Sequence, residues 1–128
     1  MLKLVAAAVL MSALSASAFA QCVAPPSLDG RWVANDNGIY NVRVVGNDIF
    51  WLGESRDGGA SFTQVFHGTR HGNMITGKWA DVRGASHNHG EMTLSVTRTV
   101  AMDFVSGVRG AAFKWGRPCN DTGGGPVP

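Results

Sequence analysis

GNDIFWLG, residues Gly46–Gly53, and GNMITGKWADV, residues Gly72–Val82, decide how this chain folds. Each opens on Gly-Asn after a β-prone stretch and then runs into an Ile and a Trp. Gly and Asn tolerate the positive φ of a tight two-residue turn, so each segment reads as the turn and outgoing strand of a β-hairpin. The strand between Asp48 and Glu54 is apolar on both faces, with Ile49 and Trp51 on one and Phe50 and Leu52 on the other. Such a strand is either covered on both sides or left with a face for something else to cover.

Short strands continue in both directions. Leu28–Ala34 ends at the turn Asn35–Gly38, and Ile39–Val45 places Tyr40, Val42 and Val44 on one face and Asn41 and Arg43 on the other. After the loop Ser55–Gly59 come Ser61–Thr69 and, past His71–Asn73, Met74–Val82. The polar loop Arg83–Gly90 leads into Glu91–Arg98, where Met92, Leu94 and Val96 alternate with polar residues. Val100–Ser106 and Ala111–Trp115 supply a seventh and an eighth strand. Eight strands with hairpin-length connections and no helix between them predict an all-β, antiparallel up-and-down sheet. Such a sheet removes its exposed edges by closing into a small barrel.

Residues 1–20 read as a signal peptide: Lys3, the apolar stretch Leu4–Leu14, and the small-x-small site Ala18-Phe19-Ala20. The apolar stretch is too short for a spanning helix. Cys22 raises a lipoprotein reading, but Gln21 stands where that signal wants a small residue. Cleavage leaves 108 of the 128 residues: a barrel domain at 21–120 and a Gly- and Pro-rich tail at 121–128 that composition marks as disordered. The location expected is secreted or periplasmic, with no membrane insertion after cleavage. Without Lys3, ten basic residues face nine acidic ones, which argues against nucleic acid as a partner. All 17 glycines fall in the mature part, as many tight turns require. Cys22 and Cys119, at opposite ends of the mature chain, are expected to form one disulfide that ties the termini, two free thiols being the alternative.

The candidate site is aromatic with a charged border. Trp51 and Trp79 follow the two Gly-Asn turns at odd offsets, five and seven residues after the glycine. In equivalent register they project to one side of the sheet. Arg56, Asp57, Asp81 and Arg83 then border that side as a polar rim, or else fix turns and make surface ion pairs. Trp32 and Trp115 are assigned to structure. His87-Asn88-His89 points two imidazoles the same way, yet no third ligand is placed to complete a metal site, and His67–His71 brackets a turn. No paired carboxylates or Ser/His/Asp order stands out, so no catalytic residue, metal or cofactor is assigned.

Gly30-Arg31-Trp32 at the start of the first strand resembles the Gly-x-Trp signature of the calycin superfamily, the lipocalins and avidins. That resemblance implies a barrel with the Trp plugging one end and a basic side chain near the last strand, Lys114 or Arg117, packed over it. The chain lacks the other lipocalin sequence blocks, the C-terminal helix and an avidin-type biotin-contacting pattern. Ile39–Val82 also looks like small secreted bacterial modules that recur without an assigned activity. The leading expectation is an exported, non-catalytic module that binds a small molecule, a glycan or a protein through an aromatic barrel face or mouth. The alternative is a secreted or periplasmic protease-inhibitor-like protein that probes with Gln21–Leu28. A third possibility is a hydrolase that uses His67 or His87 and His89.

Overall fold

The computed structural model describes residues 24–118. The signal peptide, Cys22, Cys119 and the tail 121–128 lie outside the described residues. Eight strands follow in chain order: β1 (Gly30–Ala34), β2 (Ile39–Val45), β3 (Asp48–Glu54), β4 (Thr63–His71), β5 (Met74–Arg83), β6 (His89–Thr97), β7 (Ala101–Gly107) and β8 (Lys114–Gly116). Each pairs antiparallel with its sequence neighbours. β1 meets β8 through Val33–Gly116 and Ala34–Trp115, which closes the barrel. Among the described residues there is no helix.

The two Gly-Asn turns set the register. Gly46 and Gly72 both sit at φ +60°, with nothing near where a Cβ would project, so backbone conformation rather than space requires glycine there. The two-residue turn at Gly46-Asn47 places Val45 opposite Asp48, Val44 opposite Ile49 and Val42 opposite Trp51. β2 and β3 have the limits that their residue pattern predicts.

The other six strands depart from their expected limits by one to three residues, β6 starting at His89, inside the stretch expected as the polar loop Arg83–Gly90. Three of the shifted starts have a visible cause. β1 starts at Gly30 rather than Leu28 because Leu28 turns in to plug the barrel, its carbonyl accepting the Trp32 indole N–H at 2.9 Å. β4 starts at Thr63 because Ser61 and Phe62 are held in the preceding loop by Ser55 Oγ, which accepts both their backbone N–H groups. β8 is confined to Lys114–Gly116. Ala112 packs into the core, and Asn35 Oδ1 accepts the backbone N–H groups of Phe113 and Lys114.

The interior is filled with side chains. Trp51, Phe66 and Trp79 form one cross-strand row on β3, β4 and β5, and Trp51 stacks on Phe66 at 4.1 Å between centroids. Tyr40 presents its edge to Trp51 and to Trp115. Its ring lies over Gly53, where a Cβ would fall 2.4 Å from the ring, so this position has no room for a side chain. Ile49, Ile75, Leu94, Met92 and Met102 complete the packing. Such interiors reach the density of organic crystals, which leaves little cavity in so small a barrel.

The two ends of the barrel differ. One carries the short turns and both ends of the described chain. There Arg117 lies over the Trp32 ring at 4.7 Å and its Nη2 donates to the Ser27 carbonyl, while Thr99 Oγ1 donates to the Pro25 carbonyl at 2.6 Å. The other end carries the four longer connections, between β1 and β2, β3 and β4, β5 and β6, and β7 and β8.

Candidate functional site

Alternation along a strand sends successive side chains to opposite faces. With Trp51 and Ile49 inside, Phe50 and Leu52 point outward. Strand register then assembles two outer rows across β3, β4, β5 and β6: Phe50–His67–Lys78–Glu91 and Leu52–Val65–Ala80–His89. Phe50, Leu52 and Val65 are 41%, 39% and 40% exposed, high values for large apolar side chains that neighbour one another in register on two paired strands. Phe50 stacks on the His67 imidazole at 4.5 Å and 8° between planes. His67 Nε2 lies 3.1 Å from Asp48 Oδ1, and the Lys78 ammonium 3.7 Å from Glu91. Because Ala80 is short and flanked by longer side chains, the face dips there. The resulting open depression of about 670 Å³ has Phe50 and Val65 at one side and His89 and Glu91 at the other. The arrangement is an apolar strip edged by the Lys78–Glu91 ion pair and the His67–Asp48 contact.

Trp51 and Trp79 share a side, but that side is the barrel interior. Both are 3% exposed. The Trp51 indole N–H donates to Gln64 Oε1 at 3.0 Å, and that of Trp79 to the Val108 carbonyl at 3.0 Å. The expected aromatic surface between them is therefore corrected: these indoles belong to the core, and the surface of the same strands is made by their neighbours. The physical reason lies in the hairpin. A two-residue turn at Gly46-Asn47 puts Trp51 beside Val42, on the apolar side of β2, and puts Phe50 and Leu52 beside Arg43 and Asn41. That pairing could have located Phe50 and Leu52 from sequence. Val65 carries no comparable local signal.

The four charged residues expected to border the tryptophans all lie at the loop end. Arg56 Nε donates to the Asn37 carbonyl at 2.8 Å, which ties two connections together. Asp57 accepts from Ser55 Oγ, and from Ser61 through its Oγ at 2.5 Å and its N–H at 3.2 Å. These hydrogen bonds, that from Ser55 foremost, lower its carboxyl to about 2. A depressed carboxyl stabilises the fold fully above the unfolded value of about 3.9, and the contribution is lost as pH falls through about 2. Asp81 Oδ2 accepts from Ser86 Oγ at 2.6 Å and from the Asn88 N–H at 3.0 Å, which fixes the turn into β6. Arg83 ends β5 exposed. The structure thus brings Arg56, Asp57, Asp81 and Arg83 to one end of the barrel, and gives Arg56, Asp57 and Asp81 loop-holding bonds.

Backbone bonds from Ala85 to Ala60 and from Ser86 to Ser61 zip the β5–β6 connection to the β3–β4 connection. Beneath this rim the Tyr40 hydroxyl donates to Asp36 Oδ2 at 2.6 Å. Burial first, and the Asp36 carboxylate second, push that phenol well above its ordinary range. Of the histidines, His67 and His89 lie on the outer strip, His71 ends β4 and His87 lies in the β5–β6 connection. Among the described residues no group of three or more His, Cys, Asp or Glu is gathered to hold a metal ion.

In comparisons with protein families, curated proteins and solved structures, nothing matches this chain.

Proposed function

We propose that the mature chain is an exported, non-catalytic binding module that takes a protein ligand on the outer face of β3–β6. One observation carries the reading: Phe50, Leu52 and Val65 stand exposed on two adjacent strands, and Phe50 and Val65 line an open depression shared with His67, Lys78 and Glu91. A contiguous apolar patch with a charged rim is what protein interfaces present, and it is costly to leave in water without a use. The filled interior supports an external site over a ligand carried within the barrel. A calycin-like kinship has the support of Arg117 over Trp32. The inhibitor reading loses support at the lead-in, where Leu28 is buried and the Pro25 and Ser27 carbonyls are engaged.

The same reading includes export by signal cleavage and a Cys22–Cys119 bridge. The bridge is supported by the meeting of both flanking segments at one end of the barrel. Non-reducing peptide mapping of the exported protein should yield the two cysteines in one linked peptide, and two free thiols would remove the bridge from the account.

Immobilised mature protein, exposed to the exported proteins of its own organism, tests the face. A partner captured by the unaltered chain should be lost, by about tenfold or more in affinity, from the Phe50→Ser/Val65→Ser variant, as happens when interface anchors are removed. Equal capture by both proteins would refute the outer face as the binding surface.

A further inference from the structure

At the loop end, between the β1–β2, β5–β6 and β7–β8 connections, lies a second and smaller cavity of about 90 Å³. Gln64, Trp79 and Phe62 line it from the barrel side, and Asp36, Asp81 and Asn88 from the rim. Gln64 is 7% exposed and faces inward near the start of β4. Its Oε1 accepts the Trp51 indole N–H, and an indole nitrogen can only donate, so the amide is locked with its oxygen toward Trp51. The amide nitrogen therefore points the other way. It lies 3.8 Å from where a Cβ on Gly110, another lining residue, would sit, and it has no hydrogen-bond acceptor among the described residues. That N–H₂ is left free to donate to water or to a group bound in the cavity.

The rim supplies the opposite character. Asp81 uses Oδ2 for Ser86 and Asn88, and among the described residues its Oδ1 takes no hydrogen bond. Asp36 accepts from the Gly38 N–H through Oδ1 and from Tyr40 through Oδ2. Each carboxylate oxygen has capacity for more than one donor. A cation would suit the two carboxylates but would meet the positive N–H edge of Gln64. An anion would suit Gln64 and be repelled by Asp36 and Asp81. A hydroxyl group satisfies both sides, because it accepts from Gln64 and donates to a carboxylate. The Trp79 and Phe62 rings add apolar wall, which suits the C–H face of a sugar ring better than a small amide. The volume holds roughly six water-sized groups, about the hydroxyl-bearing edge of one sugar ring.

We propose that this mouth cavity is a carbohydrate subsite that takes the hydroxyl-bearing edge of a neutral sugar. It is separate from the outer strip, and its loops are already held by Asp57, Asp81 and Asn35, so little ordering is left for binding to bring about.

The test is a titration of the full mature protein with free glucose, galactose, mannose and N-acetylglucosamine, followed by amide-proton NMR. Methylammonium, acetate and acetamide serve as cation, anion and amide probes. At least one sugar should shift the Gln64 side-chain N–H₂ and the Trp79 indole N–H saturably at concentrations on the order of millimolar, while the three small probes leave both unmoved. Gly110→Val projects a side chain toward both Trp79 and Gln64 at a position outside the left-handed region, and should weaken the sugar by about tenfold or more. Sugars that leave Gln64 unmoved would overturn the proposal. So would a response to methylammonium, acetate or acetamide in place of the sugars, or an affinity unchanged by Gly110→Val. Where Gly110→Val fails to fold, the unaltered protein's spectra decide alone.

Discussion

Phe50 and Trp51 are adjacent in the chain, both aromatic, and live in opposite worlds. Trp51 is stacked on Phe66, edged by Tyr40 and hydrogen-bonded to Gln64, with almost no surface in water. Phe50 lies flat on His67 with two-fifths of its surface exposed. The inner row Trp51–Phe66–Trp79 is aromatic throughout, and the outer row Phe50–His67–Lys78–Glu91 runs from one aromatic ring to polar and charged groups. A strand that is apolar on both faces thus does two jobs: one face holds the barrel together and the other remains for a partner. Size and hydrophobicity do not tell the faces apart. Neighbours across the strands do.

The sharpest way to break this comparison is to truncate both sides of it. Trp51→Ala empties a buried site whose indole also satisfies Gln64, and should destabilise by about 3–5 kcal/mol, as should Trp32→Ala at the plugged end. Phe50→Ser removes a half-exposed ring from the outside and should change stability by about 1 kcal/mol or less. Equilibrium denaturant unfolding of the three variants reads all of this. A Phe50→Ser cost as large as that of Trp51→Ala would mean that the outer strip is also structural.

Much of the barrel was legible. The Gly-Asn turns, the period-two alternation of Glu91–Arg98 and the absence of helical runs are local signals, and β2 and β3 follow from them residue for residue. Two of the shifted starts come from partners that alternation along the strand does not show: Leu28 through the Trp32 indole, and Phe113 through Asn35 on the far side of the sequence. The site was less legible for the same reason. Equal parity put Trp51 and Trp79 on one side, but which side faces the core depends on Tyr40, Val42 and Phe66, residues that only strand pairing brings together. Asp81 was visible as a strand-end carboxylate. Gln64, which the mouth cavity turns on, looks in sequence like any polar residue in a strand, and its meaning comes from an indole thirteen residues away.

The division of one sheet into a structural face and a recognition face is tested most directly by hydroxyl-radical footprinting of the mature protein, free and with its captured partner. In the free protein Phe50, Leu52 and Val65 should be oxidised while Trp51 and Trp79 stay silent, although indoles are intrinsically the more reactive. In the complex the three outer residues should become protected and the two tryptophans should not change. Oxidation of Trp51 in the free folded protein, or outer residues that react equally in both states, would contradict the account.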